Sequence, residues 1–221
     1  MRTSLLLLLA CVAATLAQDA PPVKIHLYYE SLCPYSIDFV ISQLYPTWTI
    51  LKDIMEVEMF PFGNASYEPD GDGWSFTCQH GAGECKGNMI HACAKDHFKD
   101  INLEMEFVNC LLSSTYPPNA GATCAAQVDA DWAPLEHCIN SVEGENLLHQ
   151  VALQQEQLNP SLYFVPWIIV NDVFSEDQVG ECQTNLKKVV CEKYTGTKPA
   201  ECDGILAAGG GSPASRPVTR A

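Results

Sequence analysis

The sequence predicts an α/β fold whose strands and helices are interrupted by a long, cysteine-rich helical segment. Apolar residues alternate over 23–29 and run directly into an apolar stripe at helical spacing. A second strand follows that helix, and a pair of strands with a closing helix returns near the C-terminus. This order of elements is that of a thioredoxin-like core carrying a disulfide-rich helical insertion, which is the fold class that we expect.

The first strand and the first helix meet at a cysteine. The strand is predicted over 23–29, and the helical stripe runs over 37–51, where Pro46 should kink or interrupt it. Cys33 therefore lies at the start of the helix, with Pro34 in the first turn, where the missing N–H costs nothing. Free N–H groups and the helix dipole favour a thiolate there, so we expect Cys33 to be accessible and more acidic than a free cysteine.

The identity of residue 36 limits what Cys33 can do. A cysteine between a strand and a helix is typical of a redox nucleophile, but Ser36 occupies the position where a resolving thiol would stand. A Cys-x-x-Ser pattern is much less specific than Cys-x-x-Cys. A buried cysteine, or one half of a structural disulfide, explains the local pattern equally well.

The remaining elements follow from periodicity. We predict a second strand over 55–59, helices from Ser75 to about Leu158 that form the insertion, a strand over 167–170, a short return strand over 173–174 and a last helix that contains 182–193. In a thioredoxin-like fold, a loop that ends in proline faces the active cysteine. The Val165–Pro166 bond, directly before the third strand, is therefore our candidate cis bond. An ordinary trans proline that enters an edge strand is the alternative.

The two ends of the chain predict a secretory protein. Residues 1–17 have the charged, apolar and small-residue regions of a cleavable signal peptide. Residues 18–206 would form the folded domain, and the Gly/Pro/Ser-rich residues 207–221 would be a disordered tail. No later stretch approaches the ~18 apolar residues of a membrane span. In a secretory chain, Asn64 is a credible N-glycosylation site, because Ser66 completes the sequon.

Charge and cysteine content narrow the classes of partner and cofactor. A formal net charge of −15 disfavours nucleic acid or an anionic membrane as a partner. Eleven cysteines in an oxidising compartment indicate disulfides, each contributing about 2–4 kcal/mol. A metal site is the competing interpretation, but its candidate ligands have spacings that fit no zinc pattern, so we predict no metal and no cofactor: Cys78, His80, Cys85, His91 and Cys93.

One segment resembles a known family. Residues 78–93 read CQHGAGECKGNMIHAC and match the pattern C-Q-H-G-x2-E-C-x2-N-x4-C of the gamma-interferon-inducible lysosomal thiol reductases. The similarity extends from about Val23 to Cys202. It implies a secreted or lysosomal enzyme with a thioredoxin-like core that reduces disulfides in protein substrates at acidic pH. We interpret the signature as structural scaffold and assign no catalysis to His80 or Glu84.

The resemblance also accounts for most of the cysteines. Eight lie outside the redox site, enough for four disulfides: Cys78, Cys85, Cys93, Cys110, Cys124, Cys138, Cys191 and Cys202. Cys11 lies in the predicted signal peptide, and Cys33 and Cys182 are left over. Cys182 shares a helical face with Leu186 and Val189, which favours an inert buried thiol. A displaced resolving thiol for Cys33 is the alternative.

The chain departs from the family at the redox pair, which is Cys-x-x-Cys in the family and Cys33-Pro34-Tyr35-Ser36 here. We expect Cys33 to act as a single nucleophile, with Ser36 either polarising it or merely filling the resolving position, and an external small thiol to release the substrate. Substrate contacts are expected from Pro34, Tyr35, Val165 and Pro166. The alternative is a catalytically impaired, secreted protein-binding module. A purely structural, disulfide-stapled module would leave the contexts of Cys33 and Pro166 unexplained.

Overall fold

The computed structural model describes residues 20–205. The predicted signal peptide over 1–17 and the predicted tail over 207–221 lie outside the described residues. In chain order the elements are β1 (Val23–Tyr29), α1 (Pro34–Phe39), α2 (Tyr45–Leu51), β2 (Met55–Pro61), β3 (Ser66–Asp70), β4 (Gly73–Thr77), α3 (Ala82–Phe98), α4 (Ile101–Ser113), α5 (Gly121–Gln127), α6 (Trp132–Ile139), α7 (Val142–Glu156), β5 (Trp167–Val170), β6 (Val173–Phe174) and α8 (Glu176–Lys193).

The central sheet has the strand order β2-β1-β5-β6. β1 pairs in parallel with β2 and antiparallel with β5, so that Leu27 lies between Met59 and Ile168. β6 pairs antiparallel with β5. The predicted thioredoxin-like core is therefore confirmed. Because β1 and β5 are antiparallel, the end of β1 that leads to Cys33 lies at the same edge as the start of β5, just after Pro166.

The α-helix is interrupted just before Pro46, as we predicted, although the chain remains helical there. α1 continues through a π-helical segment, Val40–Leu44, directly into α2, and Pro46 lies in the first turn of α2. A proline at that position removes no N–H that an α-helix starting there would need. The π-helical segment thus lets an apolar helical face continue past the proline, from Pro34 to Leu51.

The insertion begins earlier and with a different structure than we predicted. The helical prediction from Ser75 is wrong at its start, because β3 and β4 form an antiparallel hairpin that turns at Gly71, where φ is +59°. The hairpin packs aromatic rings against α7, where Trp74 stacks on His149 at 3.6 Å between ring centroids. The helical part, α3 to α7, then runs from Ala82 to Glu156.

Four disulfides use the eight cysteines that we expected to be paired: Cys78–Cys85, Cys93–Cys138, Cys110–Cys124 and Cys191–Cys202. Cys93 and Cys138 lie in a second apolar core that belongs to the insertion and contains Ile90, Phe107 and Leu135. The main core lies around the sheet. The insertion therefore has an apolar interior of its own, crosslinked through its centre.

Candidate active site

Cys33 lies where the sequence predicted it, at the N-cap of α1. Its backbone is extended (φ −67°, ψ 121°), and its carbonyl oxygen accepts the first helical hydrogen bond from the N–H of Ile37 at 3.0 Å. Pro34 occupies the first turn. The thiol is free. A free cysteine at a helix start, after the C-terminal end of a central parallel strand, is the position of the nucleophile in a thioredoxin-like reductase.

The prediction that this thiol is accessible and acidic is wrong. Cys33 has a relative exposure of 0%. Burial raises the pKa of the Cys33 thiol above 9.0, and the charge of Glu30 raises it further. Hydrogen bonds from the Ser36 hydroxyl and from the N–H groups of Ser36 and Tyr35 lower that pKa without offsetting the burial. Desolvation of the thiolate therefore raises the pKa of Cys33 by more than the hydrogen bonds at the helix start lower it.

Ser36 is fully buried and connects Cys33 to the preceding loop. Its Oγ accepts a 3.4 Å hydrogen bond from the backbone N–H of Glu30, and its hydroxyl donates to the sulfur of Cys33. A serine cannot form a disulfide. Ser36 therefore polarises the thiol but has no means of expelling a substrate that is bound to it.

Glu30 is a buried carboxyl group that the sequence analysis missed. Oε1 accepts a 2.6 Å hydrogen bond from the backbone N–H of Asn64. Gly63, at φ +67°, permits this approach, because a Cβ there would lie 2.3 Å from Cγ of Glu30. Burial raises the pKa of Glu30 to about 7, and the neighbouring charge of Glu84 raises it too, while the hydrogen bond from Asn64 and the charge of His80 lower it.

Two residues of the signature reach this carboxyl group. His80 Nδ1 lies 2.6 Å from Oε2 of Glu84 and 3.3 Å from Oε2 of Glu30. Glu84 also accepts a 2.9 Å hydrogen bond from the backbone N–H of His80. Glu30 and Glu84 are both fully buried, whereas the His80 side chain is 30% exposed. The His80 imidazole thus lies between two buried carboxyl groups, and it is the member of this cluster that is partly exposed to solvent.

Other residues of the signature hold the loop before Cys33. The N–H of Ser31 donates a 2.9 Å hydrogen bond to Oδ1 of Asn88, and its hydroxyl donates a 3.1 Å hydrogen bond to the carbonyl of Glu84. A Cβ at Gly87 would lie 2.3 Å from Oγ of Ser31, so only glycine allows this packing. The scaffold interpretation of the signature is therefore incomplete, because the scaffold is built against the redox loop itself.

The proline loop has the geometry that we expected. The Val165–Pro166 bond is cis, and so is Asn159–Pro160. Val165 and Pro166 are buried, whereas Tyr35 and Tyr163 are 40% and 52% exposed. An exposed tyrosine therefore lies near each proline in the sequence: Tyr35 follows Pro34 directly, and Tyr163 lies three positions before Pro166.

Two other predicted residues are placed clearly. Cys182 is fully buried in the main core with Leu186 and Val189, forms no disulfide, and burial raises its pKa to about 12. This favours the inert thiol over the displaced resolving thiol.

Asn64 is exposed, and its Nδ2 donates a 2.8 Å hydrogen bond to Oε1 of Gln79. The metal interpretation loses three of its five ligands to disulfides: Cys78, Cys85 and Cys93.

One signal in the sequence indicates the residues that we missed. Glu30 follows directly after the apolar strand β1 and lies three positions before Cys33, where a buried charged residue needs a partner that compensates its charge. The partner could not be identified, because His80 and Glu84 are separated from Glu30 by the whole of β2 and the hairpin.

The sheet topology, the cysteine at the helix start and the cis-proline loop together define the class: a thioredoxin-like thiol–disulfide oxidoreductase. None of the helices between residues 20 and 205 combines the length and the apolar content needed to cross a bilayer. In fold, the chain is similar to reduced DsbA from Mycobacterium tuberculosis, with a TM-score of 0.54 and 16% identity over 84% of this chain and 88% of that one.

The family profile described as gamma interferon inducible lysosomal thiol reductase (GILT) matches residues 24–128. The chain is 38% identical to a gamma-interferon-inducible lysosomal thiol reductase of Carassius auratus, over 83% of this chain and 73% of that protein. It is 35% identical to GILT-like protein 1 of Drosophila melanogaster, over 89% of this chain and 84% of that protein. The chain belongs to the gamma-interferon-inducible lysosomal thiol reductase family.

Proposed function

We propose that the protein reduces disulfides in protein substrates through Cys33 alone, with an external small thiol as the reductant. Cys33 carries the nucleophilic sulfur, and Ser36 polarises it. Pro34, Tyr35, Val165 and Pro166 contact the substrate. The observation that supports this most directly is the free Cys33 at the start of α1, with the Ser36 hydroxyl donating to its sulfur.

The reaction proceeds by three successive thiol–disulfide exchanges. The Cys33 thiolate attacks one sulfur of the substrate disulfide, that S–S bond breaks, and the other substrate sulfur leaves and takes a proton. An external thiolate then attacks the mixed disulfide at the Cys33 sulfur and releases the second substrate thiol. A second external thiol reduces the resulting disulfide and restores Cys33. The substrate gains two electrons, and two external thiols become one disulfide.

We place this activity in the secretory pathway, either outside the cell or in the lysosome. The predicted signal peptide over 1–17 and the four disulfides support this placement, since disulfides persist in oxidising compartments. The name of the Carassius auratus relative, a lysosomal thiol reductase, agrees with it. The exposed position of Asn64 is compatible with an N-linked glycan in the same pathway.

A second candidate function is a secreted protein-binding module that has lost turnover. The burial of Cys33 and its raised pKa favour this alternative, because both reduce the population of thiolate at the surface. The two functions differ in one observable: only the reductase forms a covalent mixed disulfide with its substrate.

The test is capture of a disulfide-bonded peptide at pH 5. The protein is mixed with the peptide, quenched with acid and analysed by intact mass without reduction. We expect one peptide adduct, located at Cys33, which excess cysteine then removes. Cys33→Ser should give no adduct, and Cys182→Ser, which removes the other free thiol of residues 20–205, should give the same adduct as the wild type. Binding of the peptide without an adduct at Cys33 would favour the binding module.

A further inference from the structure

Glu30, His80 and Glu84 form a cluster of side chains that the proposed reaction does not use. Glu30 follows β1, whereas His80 and Glu84 belong to the loop that the Cys78–Cys85 disulfide closes. Both carboxyl groups are fully buried, and the imidazole side chain is 30% exposed. Buried carboxylates are costly unless a positive charge compensates them, so this cluster needs a cation.

Each carboxyl group is anchored through one oxygen and presents the other to the same imidazole nitrogen. Oε1 of Glu30 accepts a 2.6 Å hydrogen bond from the backbone N–H of Asn64. Oε1 of Glu84 accepts a 2.9 Å hydrogen bond from the backbone N–H of His80. Oε2 of Glu30 and Oε2 of Glu84 lie 3.3 Å and 2.6 Å from Nδ1 of His80. Hydrogen bonds that hold the outer oxygen of a carboxylate in this way orient the ligands of metal sites.

Oε2 of Glu30 distinguishes this cluster from an ordinary ion pair. Among residues 20–205 it is buried and accepts no hydrogen bond, because Nδ1 of His80 is hydrogen-bonded to Oε2 of Glu84. A protonated His80 carries one positive charge, which leaves one of the two carboxylates uncompensated. A divalent cation held by both carboxylates and a neutral imidazole would compensate both charges and would also bind the unpaired oxygen.

The spacing of the ligand atoms suits a small divalent cation. Zn²⁺ binds imidazole nitrogen and carboxylate oxygen at about 2.0–2.2 Å in a tetrahedron, so that two of its ligand atoms are about 3.3–3.6 Å apart. The 3.3 Å between Oε2 of Glu30 and Nδ1 of His80 already matches. One ligand atom from each of the three residues lies within 4.8 Å of the others. The 2.6 Å from Nδ1 of His80 to Oε2 of Glu84 must lengthen by about 0.7 Å, which the partly exposed His80 ring permits.

We propose that Oε2 of Glu30, Nδ1 of His80 and Oε2 of Glu84 bind one Zn²⁺, with water as the fourth ligand. This donor set favours Zn²⁺, which takes nitrogen and oxygen ligands together, over Mg²⁺ and Ca²⁺, which take oxygen ligands. The ion joins the insertion to the loop after β1. It shares only His80 with the metal site that the sequence suggested, and its binding does not depend on the proposed function of Cys33.

Equilibrium dialysis against micromolar Zn²⁺ at pH 7.5 tests the site. The chain, without the predicted signal peptide, carries Cys33→Ser so that the redox thiol cannot bind the metal. We expect one Zn²⁺ per chain. Glu30→Gln, His80→Gln and Glu84→Gln should each weaken binding more than about 100-fold, since loss of a hydrogen-bonding partner of a ligand alone costs about 10- to 100-fold. His97→Gln, which alters an imidazole–carboxylate pair elsewhere in the insertion, is the control and should bind Zn²⁺ as tightly as its parent.

X-ray absorption at the zinc edge keeps the test informative if a substituted protein does not fold, which circular dichroism would show. It needs only the Cys33→Ser protein loaded with Zn²⁺. We expect nitrogen and oxygen neighbours alone, at about 2.0–2.2 Å, with the outer scattering of one imidazole. A sulfur neighbour at about 2.3 Å would place the ion at a cysteine and overturn the proposal.

Four other results would also overturn it: no Zn²⁺ bound by the folded protein, binding that survives all three substitutions in the cluster, loss of binding in His97→Gln, or preference for Ca²⁺ over Zn²⁺. None of these results bears on Cys33, because capture of a peptide by Cys33 tests the proposed function separately.

Discussion

Oδ1 of Asn88 accepts a 2.9 Å hydrogen bond from the backbone N–H of Ser31, two positions before the redox cysteine. The same amide donates through Nδ2 to the carbonyl of Phe62 at 3.4 Å, at the end of β2. Asn88 lies in α3 and is fully buried. One side chain of the insertion thus fixes both loops that leave the central strands at the redox edge.

Replacing Asn88 should therefore weaken both the fold and the reaction. Asn88→Ala leaves the N–H of Ser31 and the carbonyl of Phe62 buried without partners, which costs about 1–3 kcal/mol for each unpaired group. We expect urea unfolding to show a loss of about 2–4 kcal/mol in the free energy of unfolding. Asn140→Ala, whose amide bonds to an exposed carbonyl of its own helix, is the control and should cost less than about 1 kcal/mol. Equal losses for the two variants would contradict the role of Asn88.

Restoring a thiol at position 36 should change release more than attack. Ser36→Cys supplies the sulfur that expels the bound substrate, so steady-state turnover should increase while the rate of first attack changes little. We expect the wild type, and not Ser36→Cys, to accumulate a mixed disulfide that is visible by intact mass. Equal turnover of the two proteins with the same reductant would show that the missing thiol is not limiting.

The burial of Glu104 predicts that its contribution to the free energy of unfolding decreases as the pH rises from 4.5 to about 7. It is buried in α4, and burial raises its pKa from 4.5 to about 7, an effect that the charge of Lys95 opposes. Between these two values the folded protein holds a proton that the unfolded chain has lost. Its contribution to stability is therefore complete below pH 4.5 and is lost as the pH rises to 7.

Glu104→Gln should remove this contribution. The difference in unfolding free energy between pH 5 and pH 8 should shift by about 2–3 kcal/mol in favour of pH 8 relative to the wild type. Urea titrations at both pH values measure it. His91, whose pKa burial lowers to about 3, has the opposite dependence, but it is present in both proteins and cancels. An unchanged difference would mean that Glu104 is ionised in the folded protein at pH 5.

The thiol count follows from the disulfides. In the chain without the predicted signal peptide, which contains Cys11, alkylation under denaturing, non-reducing conditions should add two groups, at Cys33 and Cys182. Intact mass gives the number, and a peptide map gives the positions. No labelling, together with a peptide that links Cys33 to Cys182, would make Cys182 the resolving thiol after all.

The core strands could be predicted from the sequence because their signals are local. The alternation over 23–29 and the apolar run over 167–170 each admit one interpretation, and both strands have the predicted bounds. The β3–β4 hairpin was missed because β3 is mostly exposed and carries charged residues, whereas β4 is only five residues long and mostly half-buried. Its stability comes instead from contacts with α7, such as that between Trp74 and His149, which lie far apart in the sequence.

The candidate site likewise has local features that could be predicted from the sequence and others that depend on the whole fold. The position of Cys33 at a helix start is a local property and was predictable. The pKa of Cys33 was not predictable. The donors at a helix start can be counted from the sequence, but the burial of the sulfur, which raises the pKa, depends on the whole fold. Glu30 was missed because its neighbours are distant in the sequence: Asn64 lies in the loop after β2, and His80 and Glu84 belong to the insertion.

Because Cys182 is buried, the rate at which it is labelled reports how often the main core opens. A thiol with no exposed surface in the main core reacts with a labelling reagent only when the core separates. Its labelling rate under native conditions, divided by that of an unstructured thiol, gives the fraction of molecules that are open at any moment. In a Cys33→Ser background, opening of the core can therefore be followed at the sulfur of Cys182, without denaturant and without an introduced cysteine.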